Sequence, residues 1–213
     1  MAVCFAPTLV RLVLTGLVLA GAALRPGRAR AQFVLAPGTY QLATGARGTA
    51  SLQLVLAAGG RPAAVAGVKD GRARTFRSAE VAAFTVGDHR FVRVDGFRLR
   101  SGTDADFSDP IFLELLETGP VELFYYHYQV EMGPNFKAHV KLPVLRKAGT
   151  AAYFAYSPGR TPGFDPKLAP GTFVAALFPA DPVLQRRLAL NGIARAQLPD
   201  VVRAYNRGVR LQP

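Results

Sequence analysis

The residues from Ile111 to Val130, IFLELLETGPVELFYYHYQV, form two apolar runs around a short turn. Thr118-Gly119-Pro120 predicts that turn, because glycine adopts a positive φ without steric cost and proline fixes its own φ. The second run is rich in aromatic and β-branched residues, and both of its alternating faces are apolar. Such a pattern is typical of a strand that is covered on two sides. The stretch therefore predicts a β-hairpin at the centre of a sheet.

Short alternating segments on both sides of this hairpin predict more antiparallel strands. Ser78 begins the segment SAEVAAF, which predicts a short helical turn capped by the serine. From Phe136 to Leu142 apolar and polar residues alternate strictly, with Phe136 facing inward, and Pro143 places the end of that strand near a sheet edge. The segment 157–171 holds four prolines and three glycines and predicts an irregular loop. The predicted hairpin turns lie at Gly45–Gly48, Asp70-Gly71 and Gly87-Asp88.

The last part of the chain changes to a helical pattern. Asp181-Pro182 is a helix start, with Asp as N-cap and Pro in the first turn, and Asn191-Gly192 ends that helix. A second helix begins near Pro199 and ends at Gly208. Its apolar stripe consists of Leu198, Val201, Val202 and Tyr205.

These patterns together predict an α+β fold. We expect a predominantly antiparallel β-sheet or partly open barrel over residues 32–178. A C-terminal helical segment, residues 179–213, packs on that same domain. Residues 1–31 form a separate N-terminal segment.

That N-terminal segment predicts export. Arg11 precedes the apolar run LVLTGLVLAGAAL, and Ala29-Arg30-Ala31 offers the small-x-small pattern that a signal peptidase reads. Cleavage there leaves Gln32 as the new N-terminus, in the periplasm or outside the cell. A buried helix and an uncleaved anchor are the alternatives, although the run is shorter than the ~20 residues of a comfortable membrane span. The only cysteine, Cys4, precedes the run, so the mature chain has no thiol for a disulfide, a nucleophile or a zinc–thiolate site.

The protein is basic, with a formal net charge of +12 over 213 residues. Loss of the four arginines in the predicted signal segment leaves +8. This charge suits an anionic partner. The excess is mostly arginine in a chain rich in alanine, glycine and proline, however, and GC-rich codons account for that composition without any polyanion.

Three segments carry a resemblance: EVAAFTVGDHRFV (80–92), FLELLETGPVELFYYHYQV (112–130) and the closing VVRAYNRG (201–208). Together they resemble a family of uncharacterised exported proteins of Gram-negative bacteria. That family has a strand-rich N-terminal part and a helical C-terminus that ends in Tyr-Asn. The resemblance implies export, with strands first and helices last, and it implies no catalytic residues.

The loop before the central hairpin contains the candidate metal ligands Asp104, Asp106 and Asp109. Side-chain oxygens at every second position are typical of calcium loops. The EF-hand pattern then fails, because its sixth position is Asp109 where glycine is required. The sequence predicts no bound cofactor, and a solvated turn is the simpler interpretation.

The candidate binding residues are Tyr125, His127, Lys137, His139 and Lys141. His127 shares a strand face with Tyr125, and the other three lie on the outward side of the next predicted strand. The tyrosines of the hairpin could stack on sugars, but strand alternation divides them between two faces and favours core packing. Nucleic acid is disfavoured as a partner for the same reason.

No catalytic constellation is present in the sequence. There is no Gly-x-Ser-x-Gly elbow and no phosphate-binding glycine loop, and the carboxylates Glu114, Glu117, Glu122 and Glu131 are scattered around the hairpin. We therefore expect a non-catalytic binding or structural protein of the cell envelope, with an envelope protein or a polysaccharide as partner. The alternatives are an envelope hydrolase that uses Glu, Asp or His residues, and a binder of anionic polymers through a basic face.

Overall fold

A computed structural model describes residues 35–57, 60–100, 105–133, 136–158 and 171–210. The predicted signal segment and most of the predicted proline-rich loop lie outside these residues, as does Asp104. The described chain forms one large sheet followed by helices. Its strands are β1 (Ala36–Leu42), β2 (Arg47–Leu56), β3 (Pro62–Lys69), β4 (Arg72–Arg77), β5 (Val81–Val86), β6 (His89–Val94), β7 (Phe97–Arg100), β8 (Ala105–Phe107), β9 (Ile111–Glu117), β10 (Val121–Gly133), β11 (Phe136–Lys147) and β12 (Ala152–Ala155).

The strand order in the sheet is β4-β3-β2-β1-β5-β6-β9-β10-β11-β12-β7-β8. All neighbours are antiparallel except β12 and β7, which pair in parallel. The sheet is open, with β4 at one edge and β8 at the other. The predicted hairpin is confirmed as β9 and β10, which lie between β6 and β11 inside the sheet. The α+β fold class is likewise confirmed.

Three apolar cores cover the sheet. The first is formed by β2 to β6 together with Phe112 of β9, and it contains the stacked rings of Phe84 and Phe91, 4.7 Å apart. The second lies under β7, β9, β10, β11 and β12 and contains Phe97, Phe124 and Tyr153. The third joins the opposite face of β10 and β11 to the helices. Since β10 contributes to the second and third cores with alternate residues, its two apolar faces are explained.

The helices are α1 (Gly171–Ala175), α2 (Pro182–Ala189) and α3 (Leu198–Asn206). The two predicted helices are confirmed as α2 and α3, and the side chain of Asp181 caps α2 by accepting a hydrogen bond from the Leu184 amide at 2.9 Å. The short helix α1 was not expected from the sequence. No helix within the described residues has the length and apolar character needed to cross a membrane.

The segment that begins at Ser78 departs from the prediction. Only a single 3₁₀ turn forms, Ser78–Glu80, and the chain then continues as the strand β5. Val81, Phe84 and Val86 are buried in the first core, so tertiary packing outweighs the local helical preference.

The predicted sheet edge at Pro143 is also wrong, because β11 runs on to Lys147 between β10 and β12. The Pro143 carbonyl accepts a hydrogen bond from the Tyr156 amide just beyond the end of β12, at 2.9 Å. On an antiparallel strand the N–H and C=O of one residue point toward the same neighbouring strand. The N–H that Pro143 lacks would therefore point toward β12, at the end of the pairing between β11 and β12. Phe136, expected inside, is 63% exposed at the start of the strand.

Candidate functional site

Four adjacent strands each contribute one polar side chain to a single cluster. His89 comes from β6, Glu114 from β9, His127 from β10 and His139 from β11. Phe91 and Tyr125 are the register partners of Glu114 on its two neighbouring strands, and Lys141 is the partner of His127. The four cluster residues are thus diagonal neighbours on one face of the sheet, within reach of long side chains. We call them the histidine–glutamate chain.

Glu114 is the centre of this chain. Its Oε1 lies 2.5 Å from Nδ1 of His89, and its Oε2 lies 2.7 Å from Nε2 of His127. The carboxylate is 3% exposed and His127 is fully buried, whereas the His89 side chain is 42% exposed. A buried carboxylate is strongly destabilising unless it is hydrogen-bonded. Here each oxygen accepts a bond from a different imidazole.

The chain continues outward from His127 to His139. Nδ1 of His127 lies 3.1 Å from Nε2 of His139, and the two rings stack with centroids 5.3 Å apart and an angle of 12°. A carboxylate can only accept, so Nε2 of His127 carries a proton. In the neutral ring Nδ1 then accepts, and His139 donates to it through Nε2–H. This pattern leaves the lone pair of His139 at Nδ1, and His139 is exposed.

The surroundings favour an ionised carboxylate at Glu114 and neutral imidazoles at His127 and His139. Burial alone raises the pKa of Glu114, but the hydrogen bonds from His127 and His89 outweigh it and lower that pKa. Burial lowers the pKa of His127, although the bond to Glu114 opposes this. Loss of water around the stacked ring, with His127 and Lys141 nearby, also lowers the pKa of His139. Around neutral pH we therefore assign a carboxylate and uncharged imidazoles at His127 and His139.

The chain lies between two apolar cores on one face of the sheet. On one side His127 packs against Phe91 of the first core, with ring centroids 5.9 Å apart. Along β10 in the other direction, Leu123 and Val121 enter the core that contains the helices. The half-buried ring of Tyr125 meets His127 edge-on at 6.4 Å, and Nζ of Lys141 lies 5.9 Å from the Tyr125 ring centre. Tyr125, His139 and Lys141 form the outer surface of the site.

The structure brings together four of the five predicted binding residues: Tyr125, His127, His139 and Lys141. The fifth, Lys137, lies on the same face of β11, and its ammonium group forms a 2.8 Å ion pair with Glu131. Of the predicted calcium ligands, Asp106 lies on β8, 4.0 Å from Arg100. Across the described part of the chain, no group of three or more His, Cys, Asp or Glu side chains is arranged to hold a metal ion.

The other carboxylates near the hairpin have cationic partners. Glu122 pairs with Arg146 at 2.5 Å, Glu117 pairs with Arg203, and Glu131 pairs with Lys137. Each of these three carboxylates is therefore held in an ion pair. Glu114 is the carboxylate that this face of the sheet directs toward histidines.

Sequence reasoning missed how Glu114 and His89 take part. Gly87-Asp88 was predicted correctly as a turn, but it is only two residues long, because Val86 already pairs with His89. His89 is therefore the first residue of β6. Counting residue pairs outward from the Thr118-Gly119-Pro120 turn would have placed Glu114 close to His127. A register shift between Leu123 and Phe124 means that this count does not give the exact pairing.

Chemically, the histidine–glutamate chain is a base held in one orientation. A buried carboxylate fixes the tautomer of the first imidazole, which in turn fixes the second. Such an arrangement stabilises a positive charge that forms on the outer ring, as carboxylate–histidine pairs do in hydrolases. The sequence matches no family model, and neither a curated protein nor a solved structure matches it.

Proposed function

We propose that the chain is an exported protein of the cell envelope and that its site performs acid–base chemistry as a hydrolase. The observation that supports this is the buried Glu114–His127–His139 chain with its exposed end at His139. A merely structural hydrogen bond would not need a third polar group that leads out to solvent. The residues that sequence reasoning found scattered lie within hydrogen-bond reach of one another.

In the proposed reaction His139 acts as general base on water. Nδ1 of His139 removes a proton while the water oxygen forms a bond to a carbonyl carbon of an ester. When the tetrahedral intermediate breaks its bond to the leaving oxygen, His139 returns the proton to that oxygen. The charge that His139 carries in between is stabilised through His127 by ionised Glu114. No oxidant or other reactant is needed.

The experiment is hydrolysis of p-nitrophenyl acetate by the purified protein, compared with an equal concentration of free imidazole. We expect His139→Asn to lower the rate by about 100-fold, in the range that general-base catalysis contributes. Glu114→Gln should lower it as well, and the rate should fall as the pH is lowered and the imidazoles take up protons. Lys137→Gln, on the same strand face but outside the chain, is the matched control. A native rate no higher than that of imidazole, or an unchanged rate in His139→Asn, would refute the proposal.

A second candidate is the non-catalytic binding role. The observation that favours it is the outer surface of the site, where an ammonium group at Lys141 lies over the half-buried Tyr125 ring. Such a surface suits an envelope protein or a polysaccharide with anionic groups. Cross-linking in intact cells should then capture one partner with the native protein and not with Lys141→Gln, while no ester is hydrolysed. Equal capture by both forms would contradict this role.

Export itself has a direct measurement. The mass of the protein recovered from the periplasmic or extracellular fraction should correspond to a chain that begins at Gln32. Recovery of the uncleaved chain from the cytoplasm alone would contradict export.

A further inference from the structure

A second polar surface lies on the outer face of the sheet, opposite the first core. Strand pairing places four side chains in one row across β2, β1, β5 and β6. Thr49 pairs with Thr39, Thr85 follows on β5, and Thr85 pairs with Arg90. The hydroxyl oxygens of Thr39 and Thr85 are 3.1 Å apart, and the Thr39 amide donates to the Thr85 hydroxyl at 2.9 Å. The row is therefore a continuous line of hydroxyl groups that ends in a guanidinium group.

This row forms the floor that two adjoining recesses share. One has a volume of about 540 Å³ and extends toward Arg47 and Arg90. The other has a volume of about 640 Å³ and extends toward Ser51 and Lys69. Because Thr39, Thr49 and Thr85 line both recesses, they form one elongated groove. We call it the threonine groove.

The charge of the groove is positive. Arg47, Arg90 and Lys69 are exposed at its margins, and none of them forms an ion pair with a described residue. Asp70, at the Lys69 end, is the one acidic residue among the described residues that line either recess. Unpaired cations on both sides of a line of hydroxyls attract an extended molecule that carries negative charges and hydroxyl groups.

Two other kinds of anionic partner fit less well. An acidic peptide that adds a strand needs a free sheet edge, but β1 and β5 are paired on both sides. Single-stranded nucleic acid needs exposed aromatic rings on which bases stack. Tyr40 is the one tyrosine at the groove, and its ring packs against Phe76 with centroids 5.2 Å apart.

We propose that the threonine groove binds an anionic polysaccharide. The hydroxyl groups of the polysaccharide bond to Thr39, Thr49 and Thr85, and its carboxylate or sulfate groups bind Arg47 and Arg90. This site is separate from the histidine–glutamate chain, and the proposal does not depend on hydrolysis. It also differs from the basic residues of β11, where Arg146 and Lys137 are occupied by Glu122 and Glu131.

Isothermal titration calorimetry with polygalacturonate, dextran sulfate and uncharged dextran tests the proposal. We expect the native protein to bind at least one of the two charged polymers and not dextran. The double variant Arg47→Gln/Arg90→Gln should bind at least tenfold more weakly, and the slope of log affinity against log salt should decrease by roughly 1 to 2. Preference for polygalacturonate or dextran sulfate identifies the anionic group as carboxylate or sulfate.

The matched control is Arg186→Gln/Arg207→Gln, which removes two exposed arginines from helical segments remote in sequence. Thr49→Val keeps the β-branched shape and should weaken binding several-fold without changing the salt slope. Equal binding by the two double variants would overturn the proposal, as would no binding of either charged polymer by the native protein. Equally tight binding of an oligothymidylate of matched charge would overturn it in favour of nucleic acid.

Discussion

Asn206, the last residue of α3, replaces a missing strand residue beside the central hairpin. The Val121 amide donates to its Oδ1 at 3.1 Å, and its Nδ2 donates to the Val121 carbonyl at 2.7 Å. These two bonds reproduce an antiparallel peptide pair at a position where β9 has already ended. Nδ2 also donates to the Thr118 carbonyl at 3.2 Å, and the amide group lies directly against Gly119. A Cβ on Gly119 would lie 2.5 Å from Cγ of Asn206.

We expect Asn206→Ala to lower the free energy of unfolding by about 2 kcal/mol. Three hydrogen bonds at about 1 kcal/mol each give a loss of about 3 kcal/mol. Val121 is buried, so its N–H and C=O cannot easily bond to water instead. The better helix propensity of alanine returns about 0.5 kcal/mol, and the partial exposure of Asn206 reduces the loss further.

Urea unfolding followed by circular dichroism measures this change. At a slope of about 2 kcal/mol per molar urea the midpoint should fall by about 1 M. Arg207→Ala is the matched control, because its side chain is exposed at the same helix end, and it should change stability by less than about 0.5 kcal/mol. A loss in Asn206→Ala as small as in the control would show that the Asn206 side chain does not hold the hairpin.

Two further predictions concern stability. The free energy of unfolding should fall as the pH is lowered from 7 toward 5. Burial holds the pKa of His127 below its ordinary value, so the unfolded protein takes up a proton at this histidine before the folded protein does. Below about pH 4 the lowered pKa of Glu114 destabilises the folded protein further, for the same reason. Denaturation midpoints across this pH range check it, and greater stability at pH 5 would contradict it. Separately, Gly38→Ala should lower the free energy of unfolding by at least ~2 kcal/mol, because the new Cβ would lie 2.0 Å from the Thr85 carbonyl oxygen. The control is Gly133→Ala, whose Cβ would have no neighbour within 4 Å and which should leave stability nearly unchanged in the same unfolding assay. Similar midpoints for the two variants would refute that reasoning.

Local chemistry made most of the fold predictable. The hairpin turns at Asp70-Gly71 and Gly87-Asp88 have the positive φ angles that these residues favour, at Asp70, Gly71 and Gly87. The Asp181-Pro182 helix start depends on one hydrogen bond within a turn. Where two local preferences compete, as in the segment after Ser78, the buried partner decides, and a sequence pattern does not show that partner.

The candidate site was only partly predictable, because it depends on which strands become neighbours. His127 and His139 come from consecutive strands. Strand alternation placed His127 on the same face as Tyr125 and His139 on the outward side of its strand. Their link to Glu114 needs the register of β9 on β10, which contains a shift. The link to His89 needs β6 to pair with β9 across two intervening strands, and no local signal indicates that step.

The parallel pairing of β7 with β12 has a consequence for how the chain assembles. Strands β1 to β6 all find partners close to them in sequence, so loop closure is inexpensive for most of that half of the sheet. By contrast, β7 and β8 precede the central hairpin in the chain and pair with each other, but they join the rest of the sheet only through β12, which pairs with β11. The order of assembly therefore differs from the order of the chain, and non-local pairing of this kind slows folding. Since β7 and β8 are also short and lie at one edge of the sheet, we expect this edge to open before the central strands do.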